Sequence, residues 1–388
     1  MKIFCILSTS SLTGGSSLSF VQYCTEINKK EDINLVVSVP CKGPAYDYLR
    51  SQNIQTEIVP VRFNIYPKVT KRNFLFAPIK LIKHLLQNKK QESVLLEITK
   101  RHKPDIIYTN VGVVNIGYNV AKKLRIPHVY HLREYQDLDF GMKIIPSRRR
   151  FIDKLQHSYT ICITKGIQDH FHLTDNKWSR VIYNGLLTSH KKEKENNREK
   201  TFLFVGRLTR EKNPLGIIRA FNTFCKTNKE YRLLLAGSAV SQDEYAKLLS
   251  YCKENKLKDR VCFIGARNDI DSIMQKVYAV IVASEFEGFG RVTTEAMLNG
   301  CLVIGRNTTG TKEQFDNGLT LTNKEIGIRF ENENDLSVKM HLASSLTKEK
   351  YHEYTKYAKI TVEHLYTPQK CANDIYNFFK YILEQQND

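Results

Sequence analysis

The stretch SEFEGFGRVTTEA, residues 284–296, decides the fold because it joins a buried strand to a short helix through a glycine-containing turn. It follows YAVIVAS, a continuous apolar run that is typical of a parallel strand covered on both faces. Gly288 and Gly290 allow a sharp turn, and a helix is predicted from Arg291 to Asn299, with Gly300 beyond its end. The N–H groups at the start of that helix form a predicted anion site.

Two carboxylates accompany this turn. Glu287 and Glu295 are eight positions apart, slightly over two helical turns, and therefore share a face. In an open α/β sheet, that face borders the ligand crevice at the carboxyl ends of the strands. Carboxylates accept hydrogen bonds from a vicinal diol, and a phosphate suits the helix start, so a nucleotide sugar is the predicted ligand. The alternative is that both glutamates are first-turn residues that the helix dipole favours, with no role in binding.

Strand and helix patterns alternate on both sides of this stretch, which predicts doubly wound parallel sheets. The 388 residues are enough for two domains. We predict an N-terminal domain over 1–190 and a C-terminal domain over 197–366. The charged run KKEKENNREK, residues 191–200, is the predicted linker. A final helix within 369–388 is expected to cross back onto the first domain.

Cysteine usage and hydropathy limit the cellular setting. The nine cysteines are scattered without a CxxC pair, mostly inside apolar runs, which indicates a reducing compartment and neither a zinc site nor a disulfide framework. The start MKIFCILSTSS is too short in apolar residues for a signal peptide, and no apolar run of about 18 residues occurs. A cytoplasmic protein that does not span a membrane is predicted.

Positive charge is concentrated in the first half. Lysine and arginine outnumber aspartate and glutamate 28 to 14 in residues 1–190, but only 31 to 26 in residues 191–388, and together these give the net charge of +19. The basic, amphipathic stretch 68–90, with Pro78 at a predicted helix start, has the composition of an interfacial membrane anchor. Arg148–Arg150 could extend that surface. The alternative is a core-packed helix with a solvated basic face.

The first half contains two candidate ligand positions. Gly14 and Gly15 follow the first predicted strand, where they could approach a phosphate-bearing ligand, or form a plain tight turn. Neither GxGxxG nor GxxxxGK[ST] is present there. His131 lies at the end of the strand PHVYHL, where its side chain could hydrogen-bond a sugar hydroxyl. Its backbone carbonyl could instead stabilise a developing positive charge. The alternative is a structural histidine.

The loop GRLTREKNP, residues 206–214, supplies a second basic motif. Gly206 frees the turn after a predicted strand. Arg207 and Lys212 combine a forked donor with a point charge and could clamp two phosphates. A solvated basic turn is the alternative.

In combination, GRLTREK, FIGAR and SEFEGFGRVTTEAM resemble the retaining glycosyltransferases of family four, in polysaccharide-assembly members of which HLREY also has a counterpart. The resemblance covers most of the second half closely and the first half loosely. It implies the GT-B fold, an α/β architecture of two facing Rossmann-like domains. It also implies a nucleotide-diphosphate sugar donor.

The resemblance assigns roles to residues of the second half. Counterparts of Arg207 and Lys212 hold the donor diphosphate, that of Glu295 binds the ribose hydroxyls, and that of Glu287 contacts the donor sugar. The loop at Gly288, Phe289 and Gly290 supplies backbone N–H groups to sugar and phosphate.

Further roles concern the nucleobase and the active-site histidine. Backbone at Gly265 to Arg267 would touch the base, and His131 resembles the family's active-site histidine. VIYNGL resembles the family's NGV(D) segment around Asn184 but lacks its acidic residue. His131, Glu287, Arg207 and Lys212 are therefore the predicted catalytic residues.

The resemblance also implies the reaction and its partners. Because no nucleophilic carboxylate is evident, a same-face mechanism is favoured, in which the departing diphosphate takes the acceptor's proton. No metal or other cofactor is expected. The predicted acceptor is a glycan or lipid-linked saccharide, with contact to the inner face of an anionic membrane and none to nucleic acid. An epimerase, an inverting transferase and a basic nucleic-acid-binding protein are the alternatives.

Overall fold

The computed structural model describes residues 1–66, 77–186 and 198–386. The chain divides into two compact units, Met1–Leu187 with Pro368–Asp388, and Thr188–Thr367. Most of the linker predicted at 191–200 lies outside the described residues, as does the first part of the basic stretch 68–90. No helix in the described part of the chain combines the length and hydropathy needed to cross a bilayer.

The first unit is built on a parallel sheet. The described residues contribute seven strands in the order β3-β2-β1-β4-β5-β6-β7. These strands are β1 Lys2–Ile6, β2 Asn34–Val39, β3 Gln55–Ile58, β4 Ile106–Asn110, β5 His128–Leu132, β6 Tyr159–Cys162 and β7 Ser179–Val181. Strands β1, β4 and β5 are almost entirely buried, as expected for apolar runs covered by helices on both faces.

Helices of the first unit include one from the end of the chain. They are α1 Gly15–Ile27, α2 Pro44–Ser51, α3 Ala77–His102, α4 Ile116–Leu124, α5 Asp137–Phe140, α6 Arg148–Gln156, α7 Lys165–His170 and α15 Pro368–Glu384. The predicted return of the final helix is confirmed, because Ile375, Phe379 and Ile382 of α15 are buried in the core of this unit. The ring of Phe379 meets that of Tyr108 edge-on, with centroids 5.7 Å apart.

The second unit has the same plan. Its described residues form a six-stranded parallel sheet in the order β10-β9-β8-β11-β12-β13. These strands are β8 Glu199–Val205, β9 Arg232–Ala236, β10 Val261–Gly265, β11 Val277–Val282, β12 Leu302–Arg306 and β13 Ile328–Phe330. Its helices are α8 Pro214–Phe224, α9 Gln242–Glu254, α10 Ile270–Met274, α11 Arg291–Leu298, α12 Thr309–Thr322, α13 Glu333–Ser344 and α14 Lys348–Leu365.

Local sequence sets the ends of several helices. The Asn213 side chain caps α8 by accepting from the Gly216 N–H at 3.1 Å, and Pro214 starts that helix. Ser241 and Asn332 cap α9 and α13 in the same way. Gly300, at φ +62°, follows the end of α11, as the sequence predicts.

Strand order places the candidate sites. In each sheet the chain winds outward in one direction and then restarts beside the first strand, so β1 borders β4 and β8 borders β11. A crevice opens at the carboxyl ends of such a pair, and ligands of open α/β sheets bind there. The loops after β8 and β11 carry the two motifs that the sequence singled out.

Candidate functional site

The loop after β8 carries the predicted phosphate-binding cations. Gly206 follows the strand, and its N–H donates to the Ala236 carbonyl of β9 at 2.9 Å. Arg207 is exposed, and Lys212 ends a short 3₁₀ turn, Arg210–Lys212. The loop therefore stays at the carboxyl end of the sheet instead of running away from it.

Lys212 and Glu287 form an ion pair between the two loops. The Lys212 Nζ lies 2.5 Å from Glu287 Oε2, and the side chains are 26% and 18% exposed. The residues are 75 positions apart in sequence and meet because β8 and β11 are neighbours. The structure thus brings together two of the predicted catalytic residues.

Helix α12 fixes the turn that carries Glu287. The Glu287 N–H donates to Thr309 Oγ1 at 3.0 Å, and the Gly310 N–H donates to the Glu287 carbonyl, also at 3.0 Å. A Cβ on Gly310 would lie 2.7–2.9 Å from the carbonyl oxygens of Glu287, Gly288 and Phe289. Only glycine therefore lets α12 approach the loop this closely.

Phe289 and Gly290 shape the start of α11. The Phe289 side chain is buried with its ring edge-on to Tyr366, at a centroid distance of 5.3 Å, so it anchors the loop. Gly290 precedes α11 in the left-handed region, at φ +83° and ψ 57°. Gln314 Nε2 donates to the carbonyls of both residues. These contacts pre-form the turn that the sequence predicted.

Glu295 is paired within its own helix. Arg291 Nη2 and Nε lie 3.0 and 3.1 Å from Glu295 Oε1, and the Glu295 side chain is 27% exposed. This spacing of four residues is the usual one for a helical ion pair. A carboxylate held in this way keeps its second oxygen available for a ligand hydroxyl.

The predicted base-contacting loop lies further along the same edge. Gly265 ends β10 at φ +67°, and it is exposed. Arg267 is bound by Asp269, at 2.8 Å from Nε and 2.7 Å from Nη2. Strand β9 separates β10 from β8, so this loop is two strands away from the Lys212–Glu287 pair.

The first unit holds the remaining predicted residues. Gly14 and Gly15 are exposed at the start of α1, with Gly14 in an extended conformation. His131 is the penultimate residue of β5 and is fully buried. Its Nδ1 contacts the Tyr108 hydroxyl and lies 3.3 Å from Arg133 Nη2. Burial, with the positive charge of Arg133, holds the pKa of His131 well below its usual range, so the imidazole is neutral.

Arg133 is the residue that sequence reasoning missed. Its motif HLREY was noted without a role for the arginine, whereas in the structure this residue is 4% exposed and its guanidinium is bound to two asparagines. Its Nη1 donates to Asn184 Oδ1 at 2.7 Å, and its Nε donates to Asn110 Oδ1. The sequence offers two signals. Arg133 is a charged residue directly after a buried strand, and Asn184 belongs to the YNG segment that the family resemblance had already singled out.

Glu134 follows in the same segment. Burial, and then the nearby carboxylate of Asp139, raise the pKa of Glu134 to about 7, while Arg133 opposes the shift. The group therefore titrates near neutral pH.

The described residues contain no group of three or more His, Cys, Asp or Glu placed to hold a metal ion. The absence of a cofactor stays a prediction.

Residues 187–361 match the model of the family described as glycosyl transferases group 1. An N-acetylgalactosaminyltransferase of Campylobacter jejuni, named for the substrate N-acetylgalactosamine-N,N'-diacetylbacillosaminyl-diphospho-undecaprenol, is 29% identical over 187 residues, 48% of this chain and 47% of that protein. That match therefore spans about half of the relative's length. An Escherichia coli UDP-Gal:alpha-D-GlcNAc-diphosphoundecaprenol alpha-1,3-galactosyltransferase is 26% identical over 338 residues, covering 79% of this chain and 80% of that one.

Solved structures share the architecture. The crystal structure of Anabaena Alr3699/HepE in complex with UDP has a TM-score of 0.78 at 19% identity, covering 98% of this chain and all of that one. With the two parallel sheets, this similarity confirms the predicted GT-B fold.

Proposed function

We propose that the chain is a glycosyltransferase of the glycosyl transferases group 1 family, whose model matches residues 187–361. It transfers a sugar from a nucleotide-diphosphate sugar to a glycan or lipid-linked saccharide in cell-surface or exopolysaccharide assembly. The observation that carries the proposal is the Lys212–Glu287 pair at the crevice between β8 and β11. A cation on a pre-formed loop beside a helix start suits a diphosphate.

The donor is bound by groups of the second unit. Lys212 and Arg207 hold the diphosphate, together with N–H groups at the start of α11, and Glu295 accepts from the ribose hydroxyls. Glu287 orients Lys212 through the ion pair and contacts the sugar. Two cations and a helix dipole supply the charge stabilisation that a metal would provide elsewhere.

The transfer retains the configuration at the anomeric carbon. The bond from that carbon to the diphosphate oxygen breaks, and the bond to the acceptor oxygen forms on the same face. The acceptor's proton passes to the departing diphosphate. Lys212 and Arg207 act mainly by stabilising the negative charge that develops on that leaving group.

A thermal-shift screen of UDP-, GDP- and ADP-sugars in EDTA tests the donor. We expect one nucleotide series to raise the melting temperature, since a ligand that binds only the folded state stabilises it. Transfer of labelled sugar from that donor, with the product anomer read by NMR, then tests retention. No shift with any nucleotide sugar would contradict the proposal, and an inverted product would contradict the mechanism alone.

Acceptors carried on lipid are supported by the two relatives described above. Both are named for acting on diphospho-undecaprenol substrates. We propose that this chain works on the cytoplasmic face of the membrane and touches it peripherally. The exposed surface of α3, in the first unit, supports that contact.

Helix α3 presents an aliphatic stripe that the described residues leave exposed. Ile79, Ile82 and Leu86 recur at helical spacing and are 62%, 58% and 62% exposed. Lys83, between Ile82 and Leu86, and Lys89, three residues after Leu86, are also exposed. The sequence left open whether this helix packs on the core, and its first half does not bury these side chains. Exposed aliphatic groups beside lysines suit the interface of an anionic bilayer.

Flotation with vesicles of phosphatidylglycerol and phosphatidylcholine tests this surface. We expect the wild type to float with the anionic vesicles and the double variant Ile82→Glu, Leu86→Glu to lose most of that binding. Val240→Glu is the matched control, because Val240 is 63% exposed in the second unit. Equal flotation of the wild type and the double variant would remove α3 from the proposal.

A further inference from the structure

Asn110 and His131 lie side by side at the carboxyl end of the first unit's sheet. Strands β4 and β5 are parallel, and these two residues are paired in register. Residues that are paired across parallel strands point to the same face of the sheet. Both are fully buried. They therefore form one polar position, beside the crevice of that unit.

Arg133 bonds to both residues and fixes their orientation. A guanidinium only donates, so the atoms that face it must be acceptors. It donates through Nε to Asn110 Oδ1, which turns the Asn110 amide NH₂ group away. Its Nη2 lies 3.3 Å from His131 Nδ1, which must therefore be the unprotonated ring nitrogen. The neutral ring then carries its proton on Nε2.

The groups that are turned away have no hydrogen-bond partner in the described part of the chain. His131 Nε2 and Asn110 Nδ2 are both buried, and neither has a hydrogen-bond partner among the described residues. Buried donors in folded proteins are nearly always paired, so two neighbouring exceptions need an explanation. Two neighbouring N–H donors without partners match oxygen atoms of a ligand.

We propose that Arg133 is a positioning residue that makes His131 and Asn110 paired hydrogen-bond donors to oxygen atoms of the transferred sugar. The identity of that ligand rests on the proposed function, whereas the tautomer does not. His131 donates through Nε2 and does not act as a general base, because its other nitrogen is occupied by Tyr108 and Arg133. Asn184, which accepts from Arg133 at 2.7 Å, holds the guanidinium in place.

The environment of the ring supports the neutral form. Burial and the charge of Arg133 both lower the pKa of His131. The other titratable ring beside it, Tyr108, has its pKa raised by burial and remains a neutral hydrogen-bond donor. A cationic His131 would place two positive groups against each other away from water.

Nitrogen NMR of the ¹⁵N-histidine-labelled whole chain tests the tautomer without any substrate. We expect the His131 signals, assigned by their loss in His131→Gln, to show a proton on Nε2 and none on Nδ1. Arg133→Met should give a mixture of tautomers, and Arg133→Lys should preserve the native one, since lysine also only donates. A wild-type ring protonated on Nδ1 would overturn the proposal, whether or not any variant folds.

The same signals identify the ligand. Adding the nucleotide sugar found in the screen should shift the Nε2–H resonance, and the nucleoside diphosphate alone should leave it in place. A shift with the diphosphate alone would overturn the sugar assignment and indicate a phosphate. If the screen yields no donor, the proposed function fails while the tautomer measurement still decides the role of Arg133.

Kinetics provide a second reading. Arg133→Met should lower kcat by about 10-fold to 100-fold, the scale of one misplaced hydrogen-bond donor, with unchanged affinity for the nucleoside diphosphate. His131→Gln, whose amide reaches the Nε2 position, should retain more turnover than His131→Asn. Arg148→Met is the matched control, because Arg148 also bonds a histidine, His170, in the same unit. Equal kcat for Arg133→Met and wild type would count against positioning.

Discussion

The carboxyl ends of the two sheets hold charge in opposite ways. In the second unit, Lys212 and Glu287 neutralise each other and remain partly exposed. In the first, the buried Arg133 bonds to neutral asparagines and a neutral histidine. A partly exposed lysine can exchange its carboxylate partner for a diphosphate at small cost, whereas a buried guanidinium is fixed by its neighbours. The second unit is thus arranged to take up charge, and the first to orient neutral donors.

Replacing Lys212 should have the largest effect. A small effect would contradict the contrast drawn between the two sheets. Lys212→Ala removes the cation proposed to stabilise the leaving diphosphate, so we expect turnover to fall by about 100-fold or more. Initial rates of sugar transfer at saturating donor measure this. Lys200→Ala is the matched control, since Lys200 lies on β8, the strand before the Lys212 loop, and pairs with Glu230 at 3.1 Å in an exposed position. Comparable rates for the two variants would remove the diphosphate role.

Replacing Gly310 tests whether the second site depends on a rigid loop. A Cβ in Gly310→Ala would clash with three carbonyl oxygens, so α12 or the loop must move. We expect the free energy of unfolding to fall by about 1–3 kcal/mol, the usual cost of overpacking, and donor affinity to fall with it. Denaturant unfolding and calorimetry measure the two. Gly141→Ala offers a control of strain without a clash, because no atom lies within 4 Å of the added Cβ.

Replacing Glu295 tests whether this carboxylate binds the ribose in the second unit. Glu295→Ala removes the proposed ribose acceptor, and we expect nucleoside diphosphate affinity to fall about 10-fold, the scale of one hydrogen bond to a charged group. Isothermal calorimetry measures this. Glu353→Ala, which removes a partly exposed, paired carboxylate of α14 in the same unit, should leave the affinity unchanged. Unaltered affinity in Glu295→Ala would contradict the ribose role.

Replacing Glu134 tests the burial of charge in the first unit and should give the smallest effect. Because the pKa of Glu134 is raised to about 7, its protonated form stabilises the fold below pH 4.5, and that contribution is lost as pH rises through 7. Glu134→Gln should therefore be more stable than wild type at pH 8 by roughly 1 kcal/mol, with little difference at pH 4.5. Thermal unfolding at both values measures it. Glu31→Gln, at an exposed position, is the control; a gain independent of pH would exclude the charge effect.

Much of the fold follows from short-range patterns. The apolar run from Tyr278 to Ala283, with the glycines at 290 and 300, predicts β11 and α11 to within one residue at each end. Helix α3 was predicted only over the basic stretch ending at Lys90, but it continues to His102. No glycine or proline interrupts residues 79–102, and Pro104 follows shortly after, so continuation is what local propensity favours.

The contacts inside the candidate sites could not be predicted in the same way. The sequence selects Lys212 and Glu287 separately, but their ion pair depends on which strands are neighbours. Arg133 is harder still, because its partners Asn110 and Asn184 are 23 and 51 positions away. Such partners are set by strand register at the end of a sheet and leave no periodic pattern in the chain.

The position of α15 has a consequence for how the chain is made. Its residues complete the core of the first unit, and Tyr376 bonds Asp32 at 2.7 Å across 344 positions of sequence. A ribosome that has translated as far as Thr367 has supplied every strand of the second sheet, yet the earlier unit still lacks one of its walls. Synthesis from the N-terminus therefore delivers the complete later unit first, and the earlier one must wait with part of its apolar surface uncovered.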